Sequence, residues 1–256
     1  MREDKHAGPV IMAVCGKGGV GKTSISAAIV RLLLQDPQKR VLAIDADPAV
    51  GLSSALGVTV GRTVDDIRRS IIDKASGGAA GRRELLSSLD YQMLEAVTEK
   101  GALAFLAIGR PEGEGCYCKV NDLLREIIAS LTLGFDFVVV DGEAGVEQIN
   151  RRVLERVTYL VQVSDASARG IRVAETIGEV ARQAVGCGAA GLVVNRIRGE
   201  GEMRRMNIPE GMNCLGWVPE DEAVRDADIR GESLLGLGDC AFFEAVARCM
   251  KKLGVV

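Results

Sequence analysis

The stretch Cys15-Gly16-Lys17-Gly18-Gly19-Val20-Gly21-Lys22-Thr23-Ser24 decides how this chain folds. From Gly16 to Thr23 it fits the pattern G-x-x-x-x-G-K-[ST]. An apolar run, Val10-Ile11-Met12-Ala13-Val14, leads into it, and residues 25–34 follow with apolar side chains at helical spacing. The motif therefore stands between a strand and a helix, where its mechanism needs it. The glycines allow a tight turn close to an anion. The amides of Gly18, Gly19, Val20, Gly21, Lys22, Thr23 and Ser24, at a helix N-terminus, can cradle phosphate groups. Lys22 is spaced to reach the β- and γ-phosphates, and the Thr23 hydroxyl to bind Mg²⁺.

Two further strands end in acids. Residues 40–44 form a short apolar run that closes on Asp45-Ala46-Asp47-Pro48, and Phe135-Asp136-Phe137-Val138-Val139-Val140 closes on Asp141. Ligands of open parallel sheets lie beyond the carboxyl ends of the strands, so all three acids are expected to face the phosphate loop. Further strands are expected at residues 102–108, 158–163, 189–194 and 214–218, and helices at 63–72, 82–89, 120–131, 168–184 and 239–253. Alternating strands and helices predict an α/β fold: three layers, with a mostly parallel sheet flanked by helices.

The 256 residues are 47% hydrophobic but only 4% aromatic, which predicts a large aliphatic core. We expect a single phosphate-loop domain over residues 1–256, with residues 1–9 an extension before the first strand. Net charge is −3, with Lys and Arg spread along the chain, which argues against nucleic acid as a partner. No apolar run reaches membrane-spanning length, and the first ten residues have no signal-peptide core. Seven cysteines, an odd number without a secretory framework, fit a reducing cytoplasm.

Lys17, directly after the first glycine, sets this loop apart. The sequence Lys17-Gly18-Gly19-Val20-Gly21-Lys22-Thr23 resembles the deviant phosphate loop of the septum-site and chromosome-partition ATPases, the nitrogenase iron protein and the metal-insertion ATPases. The resemblance implies ATP/ADP and Mg²⁺ as ligands, and a nucleotide-dependent homodimer. In it Lys17 reaches the partner's nucleotide, as an arginine finger does in trans. It further implies that Asp47 holds the attacking water, that Asp45 assists near Mg²⁺, and that Asp141 holds Mg²⁺ through water. Gly145, closing Asp141-Gly142-Glu143-Ala144-Gly145, would sense the γ-phosphate. Asn195 with Arg196, and Pro219 with Glu220 in Val218-Pro219-Glu220-Asp221, would hold the base.

Cys116-Tyr117-Cys118 narrows the resemblance. It lies in a Gly-rich stretch directly ahead of a helix, whose dipole favours thiolate. Two thiolates do not complete a tetrahedral site, but two chains about a two-fold axis supply four. Such a site suits Ni²⁺ or Zn²⁺. With this pair the chain is similar to the nickel-insertion accessory ATPases of carbon monoxide dehydrogenase and acetyl-CoA synthase maturation. The resemblance implies a nickel-containing client enzyme as partner. The other five cysteines, in or beside apolar segments, are expected in the core. Two alternatives stay open. One is a positioning ATPase on DNA or membrane, for which residues 239–253 could form a surface helix, although Lys251 and Lys252 give thin basic anchoring and no stable membrane association is expected. The other is an electron-transfer ATPase of the iron-protein type, disfavoured because Asp141 to Gly145 holds no cysteine.

Overall fold

The computed structural model describes residues 8–75, 89, 91–109, 118–142, 156–184 and 186–256. Eight strands form one sheet: β1 (Val10–Gly16), β2 (Val41–Asp45), β3 (Thr98–Lys100), β4 (Leu103–Ala107), β5 (Phe137–Asp141), β6 (Arg156–Ser164), β7 (Gly186–Ile197) and β8 (Cys214–Pro219). Their spatial order is β3-β4-β2-β5-β1-β6-β7-β8. Every neighbouring pair is parallel except β3 with β4. The helices are α1 (Lys22–Leu33), α2 (Gly51–Leu56), α3 (Val64–Ala75), α4 (Cys118–Thr132), α5 (Ala168–Ala184), α6 (Glu200–Met203), α7 (Glu222–Arg230) and α8 (Ala241–Leu253); residues 91–96 are also helical.

The central strand shows why the apolar runs are continuous. Successive side chains of β1 point to opposite faces, and both faces are covered. Met12 and Val14 join a core with α1, α2 and α8, whereas Ala13 and Cys15 join a second core with α3, α4 and α5. Three layers result, as the sequence predicts.

The N-terminus of α3 carries a reciprocal cap. The Thr63 amide donates to Asp66 Oδ2 at 2.9 Å, and the Asp66 amide donates back to Thr63 Oγ1 at 3.1 Å. The Thr63 hydroxyl, which also donates to Asp66, holds that carboxyl below its ordinary pKa. The Asp65 amide donates to the Ile108 carbonyl, tying this helix to the carboxyl end of β4.

The short helices α2 and α6, the helical residues 91–96 and the edge strand β3 were not expected. Asp221, in the stretch expected to hold the base, caps α7 by accepting from the amides of Ala223 and Val224. The helix expected at 82–89 lies outside the described residues, apart from Leu89.

Candidate nucleotide-binding site

The phosphate loop leaves the central strand where β1 parts from β5 on one side and β6 on the other. Gly19 and Gly21 adopt left-handed backbone, with φ 80° and 88°. At Gly21 only glycine fits, since a Cβ there would run into Nδ2 of Asn195. Gly21 is also the N-cap of α1. It offers no side chain to the first-turn amides, and that turn holds no acid. The amides are therefore left for an anion, and a triphosphate fits this cradle.

Three donors grip carbonyls of the loop. Lys22 Nζ lies 3.3 Å from the Lys17 carbonyl oxygen, and Arg196 Nη1 donates to the Gly19 carbonyl at 2.9 Å. Asn195 Nδ2 donates to the Val20 carbonyl at 2.9 Å. The other end of the Asn195 amide, Oδ1, is buried without a hydrogen-bond partner. An unpaired buried acceptor invites a donor, and an exocyclic amine of a base meets that need.

A cavity of about 420 Å³ opens beside Asn195. It brings together Ser24, Asn195, Arg196, Pro219 and Glu220, five residues expected at the site from sequence. Arg225, Asp228 and Ile229 of α7 and Phe242 of α8 complete much of its wall, and of these Asp228, Ile229 and Phe242 were not foreseen. Their signal is faint, since they depend on how α7 and α8 dock rather than on any motif.

The acids lie at the carboxyl ends of β2 and β5. Asp141 accepts from the Thr23 hydroxyl at 2.7 Å and from the Ser26 hydroxyl at 3.0 Å. Burial raises its pKa to about 6, against the pull of those hydroxyls and of Lys22. Ser26 was missed, although a hydroxyl three residues after Thr23 faces the same side of a helix. Asp45 is fully buried and accepts from the amides of Asp47 at 3.0 Å and Leu52 at 2.8 Å. Burial, then the neighbouring Asp141, raises its pKa to about 7. Both its oxygens thus brace the loop between β2 and α2. Asp47 sits in that loop, half-buried, and accepts from the Ala49 amide at 2.9 Å.

Gly145, Cys116 and the side chain of Cys118 lie outside the described residues. Among the described residues no group of three or more His, Cys, Asp or Glu could hold a metal ion. The five remaining cysteines are free thiols, with Cys15 and Cys249 buried and the others half-buried. Burial pushes Cys15 up to about 12, away from the thiolate that a ligand or nucleophile needs.

Residues 11–235 match the family model described as CbiA, the CobQ/CobB/MinD/ParA nucleotide binding domain. The chain belongs to this family. It is a P-loop ATPase of the CobQ/CobB/MinD/ParA type. Among its relatives is an uncharacterized ATP-binding protein of Methanocaldococcus jannaschii, 35% identical over 237 residues that cover 89% of this chain and 91% of the relative. Another is the carbon monoxide dehydrogenase accessory protein CooC of Rhodospirillum rubrum, 30% identical over 237 residues, 88% of this chain and 89% of CooC. Among solved structures, the cell division ATPase MinD of Pyrococcus furiosus superposes with a TM-score of 0.65 at 24% identity. It covers 96% of this chain and 98% of that one. That likeness speaks for the shared fold of the MinD/ParA ATPases.

Proposed function

We propose that this chain is an ATP-dependent metallochaperone, a nucleotide-dependent homodimer that carries Ni²⁺ or Zn²⁺ and inserts nickel into a carbon monoxide dehydrogenase-type enzyme. The observation that carries the reading is the place of Cys118. It is the first residue of α4, the helix between β4 and β5, and the phosphate loop likewise follows a strand parallel to these. In this reading nucleotide state is coupled to the Cys116-x-Cys118 pair. Similarity to CooC along most of both chains supports the same reading.

In this reading Lys22 and the amides from Gly18 to Ser24 bind the phosphates. Thr23 and Asp141 would hold Mg²⁺, which would supply charge neutralisation to the phosphates. Asp47 holds the attacking water, on a loop that Asp45 braces. Lys17 stabilises transition-state charge on the partner's nucleotide. Gly145 senses the γ-phosphate. Asn195 offers Oδ1 to adenine, with Arg196, Pro219 and Glu220 around the base. The protein is expected in the cytoplasm, and no helix among the described residues is long and apolar enough to cross a membrane.

The test measures metal against mass. The chain is purified without oxygen and loaded with Ni²⁺ in three runs: with ADP, with a slowly hydrolysed ATP analogue, and without nucleotide. One metal per two chains, lost in Cys116→Ala/Cys118→Ala, is the expected result. Nucleotide-bound dimers whose metal content ignores the double substitution would overturn it. A second reading, a positioning ATPase, draws on the septum site-determining protein MinD of Bacillus subtilis, 29% identical over 242 residues. Co-sedimentation with liposomes or DNA in the presence of ATP would favour that one.

A further inference from the structure

Asn195 and Arg196 are consecutive residues that grip consecutive carbonyls of the phosphate loop, and only the asparagine does so from ordinary strand backbone. The pairing of β7 with β8 slips here. Asn195 stands opposite Val218 and Ile197 opposite Pro219, which leaves Arg196 as an extra residue. It is one of only two non-glycine residues among those described with positive φ, at 60°. A bulge of this kind re-aims a side chain, and left-handed backbone at an arginine is unfavourable unless the surroundings hold it. What the strain secures is visible: Nη1 meets the Gly19 carbonyl at 2.9 Å.

The loop divides into two parts by what holds them. Gly21, Lys22 and Thr23 are fixed by α1 itself and by Asn195 on the Val20 carbonyl. The tip, Lys17 to Gly19, projects beyond the helix, with Gly18 and Gly19 exposed. It is tied down by Lys22 at the Lys17 carbonyl and by Arg196 at the Gly19 carbonyl. In the proposed role of Lys22 at the phosphates its ammonium leaves the Lys17 carbonyl, and among the described residues the Arg196 guanidinium is then the side-chain tie that stays on the tip.

We propose that Arg196 is a positioning residue for Lys17: gripping the Gly19 carbonyl from a strained bulge, it fixes the loop tip so that Lys17 meets the nucleotide across the dimer. This rests on the reading that Lys17 acts in trans. This role is additional to the place of Arg196 in the wall of the base cavity. Losing Arg196 should lower turnover by more than any loss of nucleotide affinity accounts for.

The experiment is a double-mutant cycle on the full chain, with kcat for ATP hydrolysis and Kd for ADP as paired readouts. Arg196→Ala should lower kcat by about 10- to 100-fold, the cost of a displaced catalytic group. ADP affinity, which the place of Arg196 in the cavity wall also touches, should fall by a clearly smaller factor than kcat. Lys17→Ala should lower kcat at least as far, and the double variant should be no slower than Lys17→Ala alone, because Arg196 acts only through Lys17. Arg196→Gly guards against a folding artefact. It relieves the left-handed backbone, so its Tm should equal or exceed wild type while kcat falls as in Arg196→Ala. Multiplicative losses in the double variant, or ADP affinity falling as far as kcat, would overturn the proposal and leave the Lys17 reading standing. An unchanged kcat in Lys17→Ala would remove that reading, and this proposal with it.

Discussion

Asp45 and Asp141 are register partners at the carboxyl ends of neighbouring parallel strands, yet their carboxylates serve different parts of the molecule. Asp45 binds two backbone amides and braces the loop that carries Asp47. Asp141 binds two hydroxyls of α1 and stands where the phosphate loop becomes helix. Burial is the main cause of both raised pKa values, about 7 for Asp45 and about 6 for Asp141, and the charge of Asp141 adds to the rise at Asp45.

A pH dependence follows. Each folded-state pKa lies above the ordinary carboxyl value, so folding favours the protonated form. The stability this supplies is complete below about pH 4 and is lost as pH rises through about 6 for Asp141 and about 7 for Asp45. Asp141→Asn should remove the Asp141 share. Relative to wild type, the nucleotide-free variant should gain on the order of 2 kcal/mol between pH 4 and pH 7. Urea denaturation across that range checks it. A wild-type minus variant difference that is flat with pH would show that folding leaves the Asp141 pKa unshifted.

The two hydroxyls on Asp141 should separate stability from chemistry. Ser26 is fully buried and has no other assigned task, so Ser26→Ala should cost about 1–2 kcal/mol in stability. Its ATP turnover should remain within about threefold of wild type. Thr23→Ala removes both a hydrogen bond and the expected Mg²⁺ ligand. It should lower Mg²⁺-dependent hydrolysis by at least about tenfold and shift the Mg²⁺ requirement upward. Hydrolysis titrated against Mg²⁺, beside denaturation curves, distinguishes the two.

Gly21 gives a sharper test of the loop. Gly21→Ala puts a Cβ on left-handed backbone and against the Asn195 amide. Backbone strain alone costs about 1–3 kcal/mol. Asn195 must also move, which frees the Val20 carbonyl and misplaces Oδ1. Calorimetry should show ATP affinity down by at least about tenfold, the equivalent of 1.4 kcal/mol. Gly18→Ala, with nothing within 4 Å of its would-be Cβ, should lose much less.

Much of this was legible in the sequence, for physical reasons that differ by element. Strands such as β1 and β5 are buried on both faces, so they appear as unbroken apolar runs ahead of the loop and of Asp141. Strand β3, Thr98–Lys100, is short, half-buried or exposed, and antiparallel at the sheet edge, so it carries no apolar signal. Helix α2 starts at Gly51 after Val50 in left-handed backbone, and no capping side chain announces it. At the site, residues within a motif were legible one by one. The Asp45 contacts to the amides of Asp47 and Leu52, and the α7 wall of the cavity, arise from packing between distant segments. Spacing alone does not encode that packing.

The last helix tests the choice between scaffold and membrane surface. Phe242, Phe243, Val246, Met250 and Leu253 of α8 are all buried, in one core with α1 and the sheet. Arg31 of α1 stacks 4.1 Å over the Phe243 ring and pairs with Asp239 at 3.0 Å. Lys252, one of the two lysines near the end, donates to the Cys214 carbonyl at 2.7 Å. A helix whose apolar face is already packed has none left to insert into lipid without unfolding part of the domain. Met250→Ala should therefore cost about 2–5 kcal/mol in denaturation, as deletion of a fully buried side chain does. Wild-type protein with ATP and anionic liposomes should stay in the supernatant. Sedimentation with the vesicles that Met250→Ala enhances would mean that α8 undocks, and would move the functional assignment to the membrane.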